Sequence, residues 1–249
     1  MTFCILGHCE RTGQTGIGYT TVTLAGGGTS PFYSYGGDIV VVQAYGNIAT
    51  ATEGARTLDT GQSVDAAFAA MRACDSAFEF RQVGIMTRAG AGAAWTGDKT
   101  RAWAGHHVGG HHVAMGNVLA GEAVVEAMTR AFEANESETL AERLLCGIEA
   151  GRDAGGQQAP SGAYDERSAL LKVFGAGPDL PTAPALDLRI DMATNAVERM
   201  RQMYEIYKPV IKRRAERARN PADDPATSVW EAEHMRANPP PPALRGTPS

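Results

Sequence analysis

The chain has 249 residues and a mass of 26.3 kDa, with 29 glycines and 43% hydrophobic residues. That is enough for a buried core in one large or two small domains, and it excludes disorder of the whole chain. The net charge of -5 is unevenly placed: residues 193 to 219 hold eight Lys or Arg against three Asp or Glu, so the remainder carries -10. An acidic body is a poor partner for nucleic acid, and a basic helix on it is expected to pack on the body or on a neighbouring subunit. No apolar run approaches the roughly 18 residues of a membrane span, and MTFCILGHCE lacks the cationic start and apolar stretch of a signal peptide. A cytoplasmic protein is expected. Cys4, Cys9, Cys74 and Cys146 contain no C-x-x-C pair, so neither a disulfide framework nor a zinc knuckle is suggested.

In chain order, Phe3 to Gly7 and Gly16 to Leu24 read as strands around a turn at Arg11 to Gln14. Asp38 to Tyr45 (DIVVVQAY) is a near-continuous apolar run, the pattern of a strand covered on both faces. Helices are predicted over Thr52 to Leu58, with an acidic first turn, and Ser63 to Cys74, with Ser63 as cap. Gln82 to Thr87, Ala91 to Thr96, Arg101 to Val108 and His111 to Asn117 are expected to form a second antiparallel set. Helical spacing returns at Glu122 to Ala134 and Leu140 to Arg152. A Gly-rich loop to Gly162 and a strand over Arg167 to Phe174 follow. Residues 193 to 219 read as a long helix that Pro209 must kink or end, and the last 30 residues, with seven of the 13 prolines, as an extended tail. The domain reading is 1 to 191 for the body, 192 to 220 for the helix and 221 to 249 for the tail. The order of elements predicts an α+β protein, two antiparallel sheets stacked between helical layers.

The sharpest chemical feature is position 2. Thr2 is small enough for methionine aminopeptidase to remove Met1, and a free N-terminal Thr carries its own base. An α-amine, whose ordinary pKa is about 7.7 to 8.0, is partly neutral at pH 7 and can take the neighbouring hydroxyl's proton. Penultimate Thr is also common in ordinary proteins, so the feature needs context. TFCILGHCERTGQTGIGY at the start, RQVGIMTRAGAGAAWTG (Arg81 to Gly97), WAGHHVGGHHVAMGNVLAGEAVVEAM (Trp103 to Met128) and LAERLLCGIEAGRDAGG (Leu140 to Gly156) together resemble the bacterial family catalogued as domain of unknown function 1028. The likeness runs from Thr2 to about Asp191. It implies the N-terminal-nucleophile (Ntn) hydrolase fold, an αββα sandwich, and a hydrolase of amide-like bonds with Thr2 and Phe3 matching the family's opening; it implies no substrate. Cys4 stands where that pattern has Ser, and of the cluster His106, His107, His111 and His112 only His106 matches it.

Around Thr2 the candidates are few. Cys4, two residues on, shares its face on a strand and either lines a pocket or is a small buried hydrophobe. Asn117 either donates to an oxyanion or caps the helix starting near Gly121; Gln43 and Asn47 are placed for the same oxyanion role. Arg167 and Ser168 either hold a substrate carboxylate or join an ion pair inside the sandwich. The histidines alternate faces, and two imidazoles without a carboxylate make a weak zinc site, so they are read as a pocket rim with His106 the substrate contact and no metal. Glycines 26 to 28 lack the Lys of a phosphate loop. No cofactor is expected. The reading is an amidohydrolase cleaving a small amide, lactam or imide through an acyl-enzyme; the alternative is a non-catalytic assembly or binding protein on the same fold. Val197, Met200, Met203 and Tyr204 want cover on the basic helix, so a homo-oligomer is expected.

Overall fold

The computed structural model describes residues 1–175, 184–222 and 227–239. Strands β1 (Thr2–Cys9) and β2 (Gln14–Thr21) lead to β3 (Pro31–Tyr33) and β4 (Ile39–Ala44), then to helices α1 (Ile48–Asp59) and α2 (Val64–Cys74). Strands β5 (Arg81–Met86), β6 (Gly92–Thr96), β7 (Ala104–Val108) and β8 (His112–Asn117) precede α3 (Glu122–Ala134) and α4 (Leu140–Asp153). A small hairpin of β9 (Gln157–Ala159) and β10 (Gly162–Tyr164) is followed by β11 (Ser168–Phe174), β12 (Pro184–Ile190), α5 (Ala196–Arg219) and α6 (Thr227–Ala237). Contacts divide the chain into two units, Met1–Arg201 and Gln202–Ser249.

The first unit is a four-layer αββα sandwich. One sheet has six strands in the order β12-β11-β2-β1-β8-β7 and the other four in the order β3-β4-β5-β6, with antiparallel pairing throughout. Helices α3 and α4 lie on the outer face of the six-stranded sheet, α1 on that of the other sheet with α2 packed against it, and the inner faces meet. Alternation in DIVVVQAY explains why its apolar run is unbroken. Ile39 and Val41 join Cys4, Leu6, Ile17, Tyr19 and Met115 between the sheets, while Val40 and Val42 pack with Ala51, Leu58 and Met71 beneath the helices.

Several expectations are corrected. The four strands read as one set are split, since β5 and β6 complete the four-stranded sheet while β7 and β8 join β1 in the other. Turn signals fix hairpin partners but not the long-range neighbour of each hairpin. α1 begins at Ile48, not Thr52, because Asn47 caps it through its side chain on the Ala49 N–H, and its first turn has no acidic residue. Ser63 does cap α2. Part of the tail is not extended: Thr227–Ala237 is helical, free of proline, with Trp230 and His234 stacked one turn apart at 4.8 Å. The prolines beyond 239 lie outside the described residues. Of the two outcomes expected at Pro209, a kink or an end, the second does not occur, since α5 continues through it. Val197 and Met200 are fully buried within the chain itself, which removes them as grounds for a partner.

Close layering depends on glycine at one place in particular. A Cβ on Gly18 of β2 would lie 2.8 Å from the Leu144 carbonyl oxygen of α4. Gly18→Ala must therefore push α4 off the sheet, and we expect a loss of about 1 to 3 kcal/mol in chemical denaturation.

Candidate active site at the edge of the six-stranded sheet

Pairing registers place four polar residues in a row at one end of this sheet. Asn117 of β8 lies opposite Thr2, Thr2 opposite Thr21 of β2, and Thr21 opposite Ser168 of β11. Thr2 has the parity of Cys4 and Leu6, so the row looks into the space between the sheets. Thr2 is 6% exposed and donates its hydroxyl to Thr21 Oγ1 at 3.1 Å; Thr21 in turn donates to the Met1 carbonyl at 2.7 Å. Tyr19, buried beside them, donates to Ser30 Oγ at 2.9 Å. Burial pushes its phenol up to about 12, although the neighbouring hydroxyls of Ser30, Thr2 and Thr21 pull the other way.

Facing the row from the other sheet is an amide hub that the sequence reading did not single out. Gln82 of β5 is fully buried, and its Oε1 accepts from Gln43 Nε2 at 2.7 Å and from Asn117 Nδ2 at 3.1 Å. Its own Nε2 donates to the Gly105 and Gly116 carbonyls at 3.0 and 2.9 Å and to Thr96 Oγ1 at 2.9 Å. Cys4 Sγ donates to Gln43 Oε1 at 3.5 Å, and burial pushes its thiol far up, so it remains a thiol rather than a thiolate. Asn117 is therefore a member of this network and does not cap α3, whose N-cap is Gly121. The only signal for Gln82 in sequence is a polar residue in an apolar strand, and that signal does not say what it touches.

A small cavity of about 150 Å³ opens beside the row, lined by Met1, Ala44, Tyr45, Arg101, Asn117 and Val118. Two of these residues have left-handed backbone, Ala44 at φ 68° and Val118 at φ 54°. A β-branched residue in that region costs of order 1 to 3 kcal/mol and persists where its surroundings hold it. The Met1 amine at the cavity is drawn below its usual value, first by burial and then by the Arg101 guanidinium.

Other predicted site residues fall at varying distance from this row. His106 is exposed, and its Nδ1 lies 2.8 Å from Thr96 Oγ1. Thr96 also accepts from Gln82, so this contact ties His106 into the hub. Burial and His107 lower its pKa. Ser168 is fully buried, accepting from Gly26 N at 3.2 Å and donating to the Thr23 carbonyl at 2.7 Å, so it anchors the Gly26 turn. Arg167 is corrected: its side chain is exposed, not inside the sandwich, because β11 begins at Ser168 and alternation turns the preceding side chain away. Asn47 is occupied at the head of α1, its Nδ2 on Asp75 at 3.0 Å.

The remaining histidines scatter. His107 stacks on His112 at 5.7 Å, and His111 pairs with Glu10 at 3.2 Å. Among the described residues no group of three or more His, Cys, Asp or Glu is arranged to hold a metal ion, and no helix is long and apolar enough to cross a membrane. His112 is 2% exposed, and burial holds its pKa down at about 4, against 6.5 for an ordinary histidine. The unfolded chain thus takes up a proton that the fold refuses, so this residue's contribution to stability is intact above pH 6.5 and is lost as pH falls towards 4. We expect this residue to account for a loss on the order of 2 to 3 kcal/mol in urea unfolding across that window, by which amount the loss is smaller in His112→Gln.

The layering defines an αββα-sandwich protein with Thr2 at the edge of its six-stranded sheet. The chain matches the family of unknown function DUF1028 over residues 2–200 and belongs to it. A solved member, protein SPO2555 from Silicibacter pomeroyi, is 29% identical with a TM-score of 0.73, covering 83% of this chain and 86% of that one. Two structures of Anbu, the ancestral beta-subunit, match at 13% identity: that from Yersinia bercovieri, TM-score 0.39 (90% and 99% covered), and a Gly-1 mutant from Hyphomicrobium sp. strain MC1, TM-score 0.41 (87% and 97%). None of the curated proteins matches the chain.

Proposed function

We propose that the chain is an N-terminal-nucleophile amidohydrolase that, once Met1 is removed, cleaves a C–N bond of a small amide, lactam or imide. The observation that carries this reading is the placement of Thr2 at the end of β1, facing between the sheets and directly across from Asn117, which lines a small cavity together with Met1. Loss of Met1 widens that cavity and leaves the amine of Thr2 beside its own hydroxyl. Burial and Arg101, which already hold the Met1 amine down, favour a neutral amine there, the form a general base requires.

In the proposed reaction the amine accepts the hydroxyl proton as Oγ1 attacks the carbonyl carbon. One Asn117 N–H is engaged by Gln82 and the other meets the developing oxyanion. The proton passes to the leaving nitrogen as the C–N bond breaks, and water then hydrolyses the threonyl ester. Arg101 takes the role expected of Arg167, contact with an acidic group on the substrate, with Gln43, Cys4 and His106 acting through the hub rather than on the substrate directly. No cofactor is needed for these steps. A panel of small cyclic and linear amides, tested with chain from which Met1 is verified absent, is expected to yield a hydrolysed member; uniform inertness of such a preparation overturns the reading.

A reducing, cytoplasmic setting fits the four free thiols. Self-association is proposed on different grounds from those first expected: β7 and β12 are the edge strands of the six-stranded sheet among the described residues. Light scattering should give a multiple of 26.3 kDa, and a monomeric mass would refute it.

A further inference from the structure

The rim of the cavity beside Thr2 is braced in a way that bond cleavage alone does not require. Tyr45 follows β4, and its carbonyl accepts from Arg81 Nη1 at 2.6 Å. Arg81 is in turn gripped by the buried carboxylate of Asp75, Nε on Oδ2 at 2.9 Å and Nη2 on Oδ1 at 3.3 Å. Phe80 meets the Tyr45 ring edge-on, with centroids 5.7 Å apart. A half-exposed tyrosine is thus held at both its backbone and its ring. Its hydroxyl accepts from Arg101 Nε at 3.1 Å. Arg101 is tied at its backbone as well, since its carbonyl accepts at 3.4 Å from the N–H of Val118, the residue after Asn117.

What these contacts leave open points to a ligand. Tyr45 takes only the Nε donor of Arg101, and among the described residues the two terminal nitrogens have no partner. Asp75, the carboxylate behind Tyr45, is already committed to Arg81, to Thr50 at 2.6 Å and to Asn47 at 3.0 Å. Among the described residues no carboxylate lines the cavity; its charged groups are the Arg101 guanidinium and the terminal amine. Lys99 stands on the same rim, 5.2 Å from the centre of the Phe80 ring. A recess with cations and no carboxylate carries a positive potential and attracts an anion. A planar fork with both ends open matches a carboxylate, which it binds through two parallel hydrogen bonds. A cavity of about 150 Å³ takes on the order of six non-hydrogen atoms before Met1 leaves, so the ligand is small.

We infer that Arg101, set by Tyr45, selects a small amide that carries a carboxylate over neutral amides, lactams and imides. The two terminal nitrogens receive the carboxylate, and the scissile amide lies towards Thr2. Tyr45 is a positioning residue: it holds the guanidinium in one orientation, and Asp75 acting through Arg81 holds Tyr45. That the neighbouring group is an amide rests on the hydrolase reading; the carboxylate site itself does not.

N-acetylglycine and its neutral counterpart N-acetylglycinamide are the probes. They are titrated by NMR onto the full chain carrying Thr2→Ala, with Met1 verified absent by mass, so that neither is consumed. The acid is expected to bind about tenfold tighter or more, the gain of a two-point charged hydrogen bond. Arg101→Gln should abolish that preference and leave the affinity for the neutral probe unchanged, and Arg101→Lys should restore part of it. Tyr45→Phe, which removes one hydroxyl, should weaken the acid several-fold and the neutral probe not at all. Equal affinity for the two probes, binding of neither, or a preference that survives Arg101→Gln overturns the inference, and acid binding unchanged in Tyr45→Phe counts equally against it. With Thr2 intact, neutral amides hydrolysed as fast as their carboxylate counterparts would sink this inference and leave the hydrolase reading standing. Acid-selective binding with no turnover of any amide would do the reverse.

Discussion

Thr2→Ala is expected to lower turnover by about a thousandfold or more while leaving the fold intact, because the nucleophile goes but the strand stays. The side chain contributes one donated hydrogen bond, to Thr21 Oγ1, so its loss should cost no more than about 1 kcal/mol of stability. Thr2→Ser keeps a hydroxyl beside the amine and should retain part of the rate. Intact mass of the active preparation must then lack one methionine, since an acylated α-nitrogen has no lone pair to act as base. Activity in a preparation whose every chain keeps Met1, or in a folded Thr2→Ala variant, removes the mechanism. The comparison is clean because Met1 and Thr2 lie at the end of β1, and neither supplies a residue to the core clusters between or beneath the sheets.

The second large effect is at Gln82. Replacing it by leucine of similar volume deprives Gln43, Asn117, Thr96 and the Gly105 and Gly116 carbonyls of a partner at once. Each buried polar group so orphaned costs roughly 1 to 3 kcal/mol, not additively, and about 3 to 5 kcal/mol in all is expected by chemical denaturation. Gln82→Glu retains the acceptor for Gln43 and Asn117 but loses the donor to the two carbonyls, and should fall between the two. If Gln82→Leu is as stable as the parent, the hub does not hold the sheets in register. On the proposed mechanism a folded Gln82→Leu variant also loses rate, because the Asn117 amide is then free to turn its N–H away from the cavity.

Much of this architecture is legible in the residues. Strand alternation, the Ser63 cap, the helical periods of α3 and α4 and the doubly covered run of β4 are local patterns, set within a few residues by backbone sterics and burial. Thr2 could be singled out for the same reason, since its chemistry depends only on its place beside a terminal amine. Asn47 misled, because an asparagine at a strand end and one at a helix head look alike until the first turn of the helix is placed.

What no local pattern contains is which distant strands lie side by side. The row Asn117, Thr2, Thr21 and Ser168 draws one residue from each of four strands spread across most of the first unit, and the Gln82 hub comes from the opposing sheet. The amino-acid order by itself determined most of the elements, the layered class and the place of Thr2 behind Met1 on which the proposed chemistry depends. Tertiary structure decided the partners, because hydrogen bonds and charges act over a few ångströms of space, and sheet pairing, not chain distance, sets which groups come that close.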